Sequence, residues 1–369
     1  LKNEDNILPL DKGNIGKIAL LGHLADNDIT GDHGSSWVNP PYITSVKQGL
    51  QNQLDHTGIE LVTSFDNEDV VAAQSAAKDA DAVIIVAGST FEDEGESLGG
   101  GGDDSSGFFD IAGELFDELG IDPTAFSLGQ NKKRGGDRST IRLKPEEIKL
   151  IKEVAKVNKN VILITFAGAA IIYEDILEDT KAIVMGWFAG MEGGNAISDI
   201  LFGKINPSGK TPCTFAKDES DYVELGSGPA EVFYDYYHGY MKTDKEGTQP
   251  RYPFGFGLSY TTYAYGNEKA VINGNKITAS FDVSNTGDCD GEEIAQVYVG
   301  KAASAVDRPT KTMQGFKRVA VSAGATVSDS IDIHMEDLKY YDESSSSWIL
   351  EKGEYLIYIG NSSAAEDLV

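Results

Sequence analysis

A change of hydrophobic period near residue 260 constrains this chain more than any other feature. Before it, apolar runs at residues 17–22, 59–63, 82–87, 161–166 and 182–187 recur between stretches with helical signals. Near-continuous apolar strands joined by helices imply a mostly parallel sheet covered on both faces. Asp66 can cap a helix whose Val70, Ala73 and Ala77 fall at helical spacing. Pro145, followed by Glu146 and Glu147, opens another in which Ile148, Ile151 and Ala155 share a face. A third is expected over 195–202, ending at Gly203. Beyond residue 259 the period becomes two. Ile277, Ala279, Phe281 and Val283 alternate with polar neighbours, as do Ala295, Val297 and Val299. Shorter strands follow at 318–321, 327–333 and 355–359, and Asn273-Gly274 and Asn285-Thr286-Gly287-Asp288 are turn signals. The expected fold is an α/β layered sandwich with a mostly parallel sheet, followed by an all-β, fibronectin type III-like sandwich. The boundaries read as 1–216 for the α/β domain with a long insertion at 97–136, 217–259 for an extended wrapping linker, and 260–369 for the β domain.

Charge narrows the partners. Lys and Arg number 31 against 59 Asp and Glu, a net charge of −28. Phosphate binding needs clustered cations, so nucleic acid and anionic membrane surfaces are excluded as partners, and neutral or cationic ligands fit. No apolar run is long enough to span a bilayer. The sequence begins at Leu1, with neither Met nor a signal peptide, and reads as a soluble, processed or cut piece of something longer whose compartment is unknown. Cys213 and Cys289, far apart, offer neither a disulfide framework nor a zinc pattern and are expected to be small buried residues.

Chemistry is concentrated in Gly88-Ser89-Thr90-Phe91-Glu92-Asp93-Glu94-Gly95-Glu96, which leaves the end of the 82–87 strand. Four carboxylates in five positions cannot all ionise without mutual cost, so a raised carboxyl pKa is expected among them. Such a group suits general acid catalysis at neutral pH. The plainer reading is a solvated acidic turn. The insertion then breaks the α/β rhythm: Gly99 to Gly102 and the polar run after them cannot bury a core, and Phe108, Phe109, Phe116 and Phe126 arrive together. Those rings either line a substrate or cover the parent domain. Other motifs fail. Gly209-Lys210-Thr211 is followed by Pro212 where a phosphate-binding helix should begin. The Gly-rich run lacks the strand-turn-helix context of a dinucleotide site, and Asp288 and Asp290 lack the first ligand of a calcium loop. The five His residues show no metal-ligand spacing, so no metal is expected.

Taken in order, several segments resemble glycoside hydrolase family 3, nearly throughout the chain. They are residues 1–10, with Leu8-Pro9-Leu10; Gly34-Ser35-Ser36-Trp37-Val38-Asn39-Pro40; Gly190-Met191-Glu192-Gly193-Gly194-Asn195-Ala196; Leu201-Phe202-Gly203; Asn206-Pro207-Ser208-Gly209-Lys210; and Tyr252-Pro253-Phe254-Gly255-Phe256-Gly257-Leu258-Ser259-Tyr260. The resemblance implies a retaining exo-β-glycosidase, commonly a β-glucosidase or β-xylosidase. In that family the Asp nucleophile belongs to a TIM-barrel domain and the acid/base Glu to the α/β sandwich. That Glu often stands in a Glu-Gly pair followed by Asp-Arg. Glu94-Gly95 and Asp137-Arg138 match the two parts, separated here by the insertion; Glu92 is the rival of Glu94.

On this resemblance, Asp137 and Arg138 would hold the loop and the four Phe residues would wall the aglycone side. Nothing in the sequence supplies eight strand-helix units, and Ser220-Asp221-Tyr222 matches the family's nucleophile tripeptide only superficially. The implied partners are a TIM-barrel segment of the same enzyme, before or after this one, and a β-linked glucoside or oligosaccharide. No cofactor is implied, and the oligomeric state, a homodimer included, stays open. The alternative is a non-catalytic carbohydrate-binding or structural module bracing a catalytic partner.

Overall fold

The computed structural model describes residues 1–31, 38–94, 138–223 and 234–369. It divides into two compact units. One comprises Asp11–Ile171 and Asp175–Asp199; the other comprises Leu1–Leu10, Ile172–Glu174 and Ile200–Val369.

The first unit is built on parallel strands β1 (Lys17–Leu21), β2 (Glu60–Ser64), β3 (Ala82–Gly88), β4 (Val161–Phe166) and β5 (Ala182–Met185). They pair in the order β2-β1-β3-β4-β5. Every residue of β3 and β4 is buried, as their unbroken apolar runs require. The apolar expectation fails at β2. It is an edge strand whose Glu60 and Thr63 are exposed, because one side of it meets no neighbour in this order. Helices α1 (Val46–Leu54), α2 (Val70–Ala77), α4 (Pro145–Ala155) and α5 (Gly193–Leu201) accompany the strands, with a single turn, α3 (Phe91–Glu94), after β3. The cap of α2 is Asp69, whose carboxylate accepts from Ala72 N–H at 2.9 Å. Asp66 instead accepts from Glu68 N–H one turn earlier, so the expected cap is displaced by three residues. Pro145 opens α4 as expected, with Glu147 at its third position.

The strand order reverses direction between β1 and β3. In open α/β sheets, ligands meet the protein at the carboxyl edge beside such a switch. The segments leaving β1 and β3 there are Gly22-His23 and Ser89 to Glu94.

In the second unit the period-two pattern becomes antiparallel sheet. Strands β6 (Tyr263–Asn273), β7 (Lys276–Asn285) and β10 (Thr326–His334) form one sheet, in the order β10-β7-β6. Strands β8 (Gly291–Lys301), β9 (Thr312–Val321) and β13 (Tyr355–Gly360) form the other, with β8 central. A ribbon of β11 (Tyr340–Asp342) and β12 (Ser347–Ile349) stands apart from both in its pairing. Burial alternates strictly along β7, and Ala279, Phe281, Val297, Val321 and Ile333 lie in the shared core. The turn between β6 and β7 places Gly274 at φ +64°, a conformation that favours glycine. Two expectations are corrected here. The stretch read as an extended linker contains helix α6 (Gly239–Glu246), closed by Gly247 at φ +66°. Cys289 is exposed and Cys213 half-buried, so neither is a core residue.

Candidate active site

Local chemistry folds the stretch after β3 into one helical turn. The Asp93 carboxylate accepts from the Thr90 N–H at 2.9 Å, while the Glu92 N–H donates to Thr90 Oγ1 at 3.2 Å. Asp93 thus reaches back to the Thr90 N–H as the acidic half of a capping box does, while Thr90 Oγ1 holds the Glu92 N–H. Lys144, just ahead of α4, adds an ion pair to Asp93 at 2.8 Å. Burial opposes ionisation of Asp93, but Lys144 and the Thr90 donors outweigh it and hold the carboxyl below its usual range.

That turn aims Glu94 inward and leaves Glu92 exposed. Glu94 Oε1 accepts the Gly168 N–H from the segment after β4, and Oε2 meets Arg138 Nε at 2.8 Å. Arg138 Nη1 also donates to Ser89 Oγ at 3.2 Å, tying the guanidinium to the start of the same loop. The side chains of Glu94 and Arg138 are 10% and 12% exposed, sheltered but not fully buried. Burial raises the Glu94 pKa; the Gly168 N–H and Arg138 pull it back without cancelling the rise, and Asp93 adds a small push upward. A raised carboxyl pKa was expected from like-charge crowding. Desolvation is its larger cause.

Beneath the loop lies Glu147, 1% exposed. It accepts the Gly88 N–H on Oε1 and the Lys144 N–H on Oε2, both at 3.0 Å. Burial lifts its pKa to about 7 against the pull of those two donors and Lys144. His23 Nδ1 stands 3.9 Å from Glu147 Oε1 and 2.6 Å from Asn67 Nδ2, while Asn67 Oδ1 accepts the His23 N–H at 3.0 Å. Burial, then Lys144, lowers the His23 pKa.

The structure therefore brings Glu94 and Arg138 together across 44 residues of sequence and holds Glu92 in solvent. Phe108, Phe109, Phe116, Phe126 and Asp137 lie outside the described residues. The sequence reading missed Glu147, His23, Asn67, Lys144 and Gly168. Glu147 carried a signal, since a Glu at the third position after Pro145 is where a helix-capping carboxylate sits. The partners of His23 and Gly168 carried none. Among the described residues no group of three or more His, Cys, Asp or Glu could hold a metal, and no helix is long and apolar enough to cross a membrane.

Comparison with known proteins agrees with this architecture. Residues 1–260 match the glycosyl hydrolase family 3 C-terminal domain, and residues 293–363 match a fibronectin type III-like domain. The chain is 30% identical over 394 residues to a beta-xylosidase of Formosa agariphila, covering 100% of this chain and 47% of that protein. It is 30% identical over 407 residues to a probable beta-glucosidase L of Aspergillus terreus, covering 98% and 50%. The crystal structure of the Trichoderma reesei beta-D-glucoside glucohydrolase superposes with a TM-score of 0.84 at 26% identity, covering 100% of this chain and 52% of that one. The chain thus spans about half the length of the relatives it matches. The parallel sheet with its carboxylate loop and the β-sandwich after it place the chain in glycosyl hydrolase family 3, to which it belongs.

Proposed function

We propose that the whole protein is a retaining exo-β-glycosidase, acting chiefly on β-glucosides, and that Glu94 is its general acid/base. The observation that carries this reading is the Glu94 carboxyl itself: sheltered, raised in pKa by burial, and set at the carboxyl edge of the sheet beside the switch between β1 and β3. Relatives described as a beta-xylosidase and a beta-glucosidase support the reaction class.

In the first step Glu94 gives its proton to the departing glycosidic oxygen while an Asp attacks the anomeric carbon, forming a glycosyl-enzyme ester. In the second, the Glu94 carboxylate takes a proton from water, which displaces the Asp and releases the sugar with its original configuration. The Asp comes from a barrel segment of the same enzyme outside these residues, and the two carboxyl groups must approach to about 5–5.5 Å. Arg138 and the Gly168 N–H fix the carboxylate and temper the effect of burial. The same group can then give a proton in the first step and take one in the second.

Glu94→Gln in the full-length protein tests the assignment. Hydrolysis of an alkyl glucoside, a poor leaving group, should fall about 10²–10⁴-fold. Glycosylation by an activated aryl glucoside should suffer less, and azide should rescue the second step. Unchanged rates on both substrates would remove Glu94 from the chemistry and favour a bracing, non-catalytic module.

A further inference from the structure

The second unit holds a cavity of about 350 Å³, lined by Tyr341, Trp348, Tyr340, Arg308, Asp307 and Lys339 among others. That volume lies within the range of small-molecule sites. Tyr341 and Trp348 face each other across the β11–β12 ribbon, with ring centroids 5.6 Å apart at 68°. They remain 50% and 65% exposed, although large aromatic side chains are usually withdrawn from water.

Side chains adjoining the lining are fixed. The Glu351 carboxylate accepts from the Ala305 N–H at 2.7 Å and the Ser304 hydroxyl at 2.8 Å, and its carbonyl accepts the Tyr355 hydroxyl at 2.8 Å. Arg308 lies 5.6 Å from the centroid of the Tyr340 ring and 3.8 Å from Glu351. Its Nε is buried with no hydrogen-bond partner among the described residues and is closed to any ligand, so polar contacts from the cavity fall to the lining side chains Asp307 and Lys339.

We propose that this cavity binds a neutral carbohydrate chain. A pyranose ring offers an apolar C–H face, which stacks on aromatic rings, and a rim of hydroxyls that both donate and accept. Trp348 and Tyr341 supply the aromatic surface, Lys339 Nζ donates to one hydroxyl, and Asp307 accepts from another. Acidic and basic side chains line the cavity together, so a neutral polyol suits it better than an ion of either sign. A purely apolar peptide would strip water from the charged side chains of Asp307 and Lys339 and return no hydrogen bond.

The choice of β-1,4-linked chains as probes rests on the proposed function. The full-length protein is run through native gels containing hydroxyethyl cellulose or xylan, and its hydrolysis of p-nitrophenyl β-glucoside is measured in parallel. The wild type should be retarded by at least one polymer. Trp348→Ala and Tyr341→Ala should each weaken retention about tenfold, and Trp348→Phe, which keeps a ring face, should retain most of it, with aryl-glucoside turnover unchanged throughout. Both positions are exposed, and unchanged thermal midpoints would establish that the variants fold. A wild type retarded by neither polymer, or retarded equally after both alanine substitutions, overturns the proposal. A protein retarded by polymer that hydrolyses no glycoside keeps this site and refutes the glycosidase. One that hydrolyses without being retarded does the reverse.

Discussion

Two sheltered glutamates, one in each unit, share the same elementary chemistry and differ in what surrounds them. Glu94 in the α/β unit and Glu293 in the β-sandwich unit both have pKa values raised by burial, and both are paired with a cation. Glu293 meets Lys210 Nζ at 3.2 Å with the two side chains 3% and 10% exposed, and the same ammonium donates to the Gly257 carbonyl at 3.1 Å. Tyr265 adds a hydroxyl at 3.3 Å. Glu293 is enclosed in a strand of the β-sandwich. Glu94 ends a helical turn at a sheet's carboxyl edge, held by donors from two other segments. A perturbed carboxyl is therefore no sign of chemistry by itself; the loop that presents it decides.

Substitution of the two residues should separate their roles. Glu94→Gln should abolish most turnover of a poor-leaving-group glucoside, by about 10²–10⁴-fold. Glu293→Gln should do the opposite, lowering unfolding free energy by roughly 3–5 kcal/mol because Lys210 is left buried without its partner. Aryl-glucoside turnover at a temperature where the variant is folded should barely change. Denaturant unfolding beside initial rates reads both. If Glu293→Gln costs activity and not stability, the contrast is wrong.

Glu147 sharpens the comparison through pH. Its carboxyl titrates at about 7 in the folded protein against an ordinary 4.5. Between those values the unfolded chain has lost the proton that the folded chain keeps, so the unfolded state binds fewer protons and stability falls as pH rises from about 4.5 to 7. The full loss is roughly 2–4 kcal/mol. Glu147→Gln should flatten that fall, measured as unfolding free energy at pH 5 and pH 8 beside the wild type. Parallel curves would exclude the residue as its source.

Arg138→Gln probes the cation of the pair. Without the guanidinium, burial acts on Glu94 with less opposition, so its proton is held to higher pH. The basic limb of the kcat/KM profile, which reports the acid, should move up by about one unit. A limb that stays in place, or moves down, would mean that Arg138 does not govern that proton. The smallest effect belongs to a cap: Asp69→Ala should cost about 1 kcal/mol, whereas Asp66→Ala should stay within about 0.5 kcal/mol. Equal costs in chemical denaturation would return the cap of α2 to Asp66.

Some of this was legible in residue patterns and some could not be. Strands β3 and β4 showed as unbroken apolar runs, and β7 showed as strict alternation, because burial on two faces or one leaves a direct trace in composition. The edge position of β2 left none. An edge is set by which strands pair, and strand order is not written locally. Helix α6 was missed because it lies in a stretch rich in Tyr, Gly and acidic residues, buries nothing fully and carries little helical periodicity. At the candidate site the sequence supplied the right loop with the wrong dominant cause. Adjacent carboxylates suggested repulsion, whereas the fold buries Glu94 and exposes Glu92 two residues away.

What the sequence alone determined is the order of architectures, parallel α/β and then antiparallel β, together with the carboxylate loop at the end of β3. Periodicity and local turn chemistry act within a few residues, and these features need nothing more. Only the tertiary structure decided that Arg138 and Gly168 would hold Glu94, and that Glu147 would accept from Gly88 beneath it. Those contacts span 44, 74 and 59 residues. Their energies depend on which surfaces folding removes from water, a property of the assembled sheet and its crossovers.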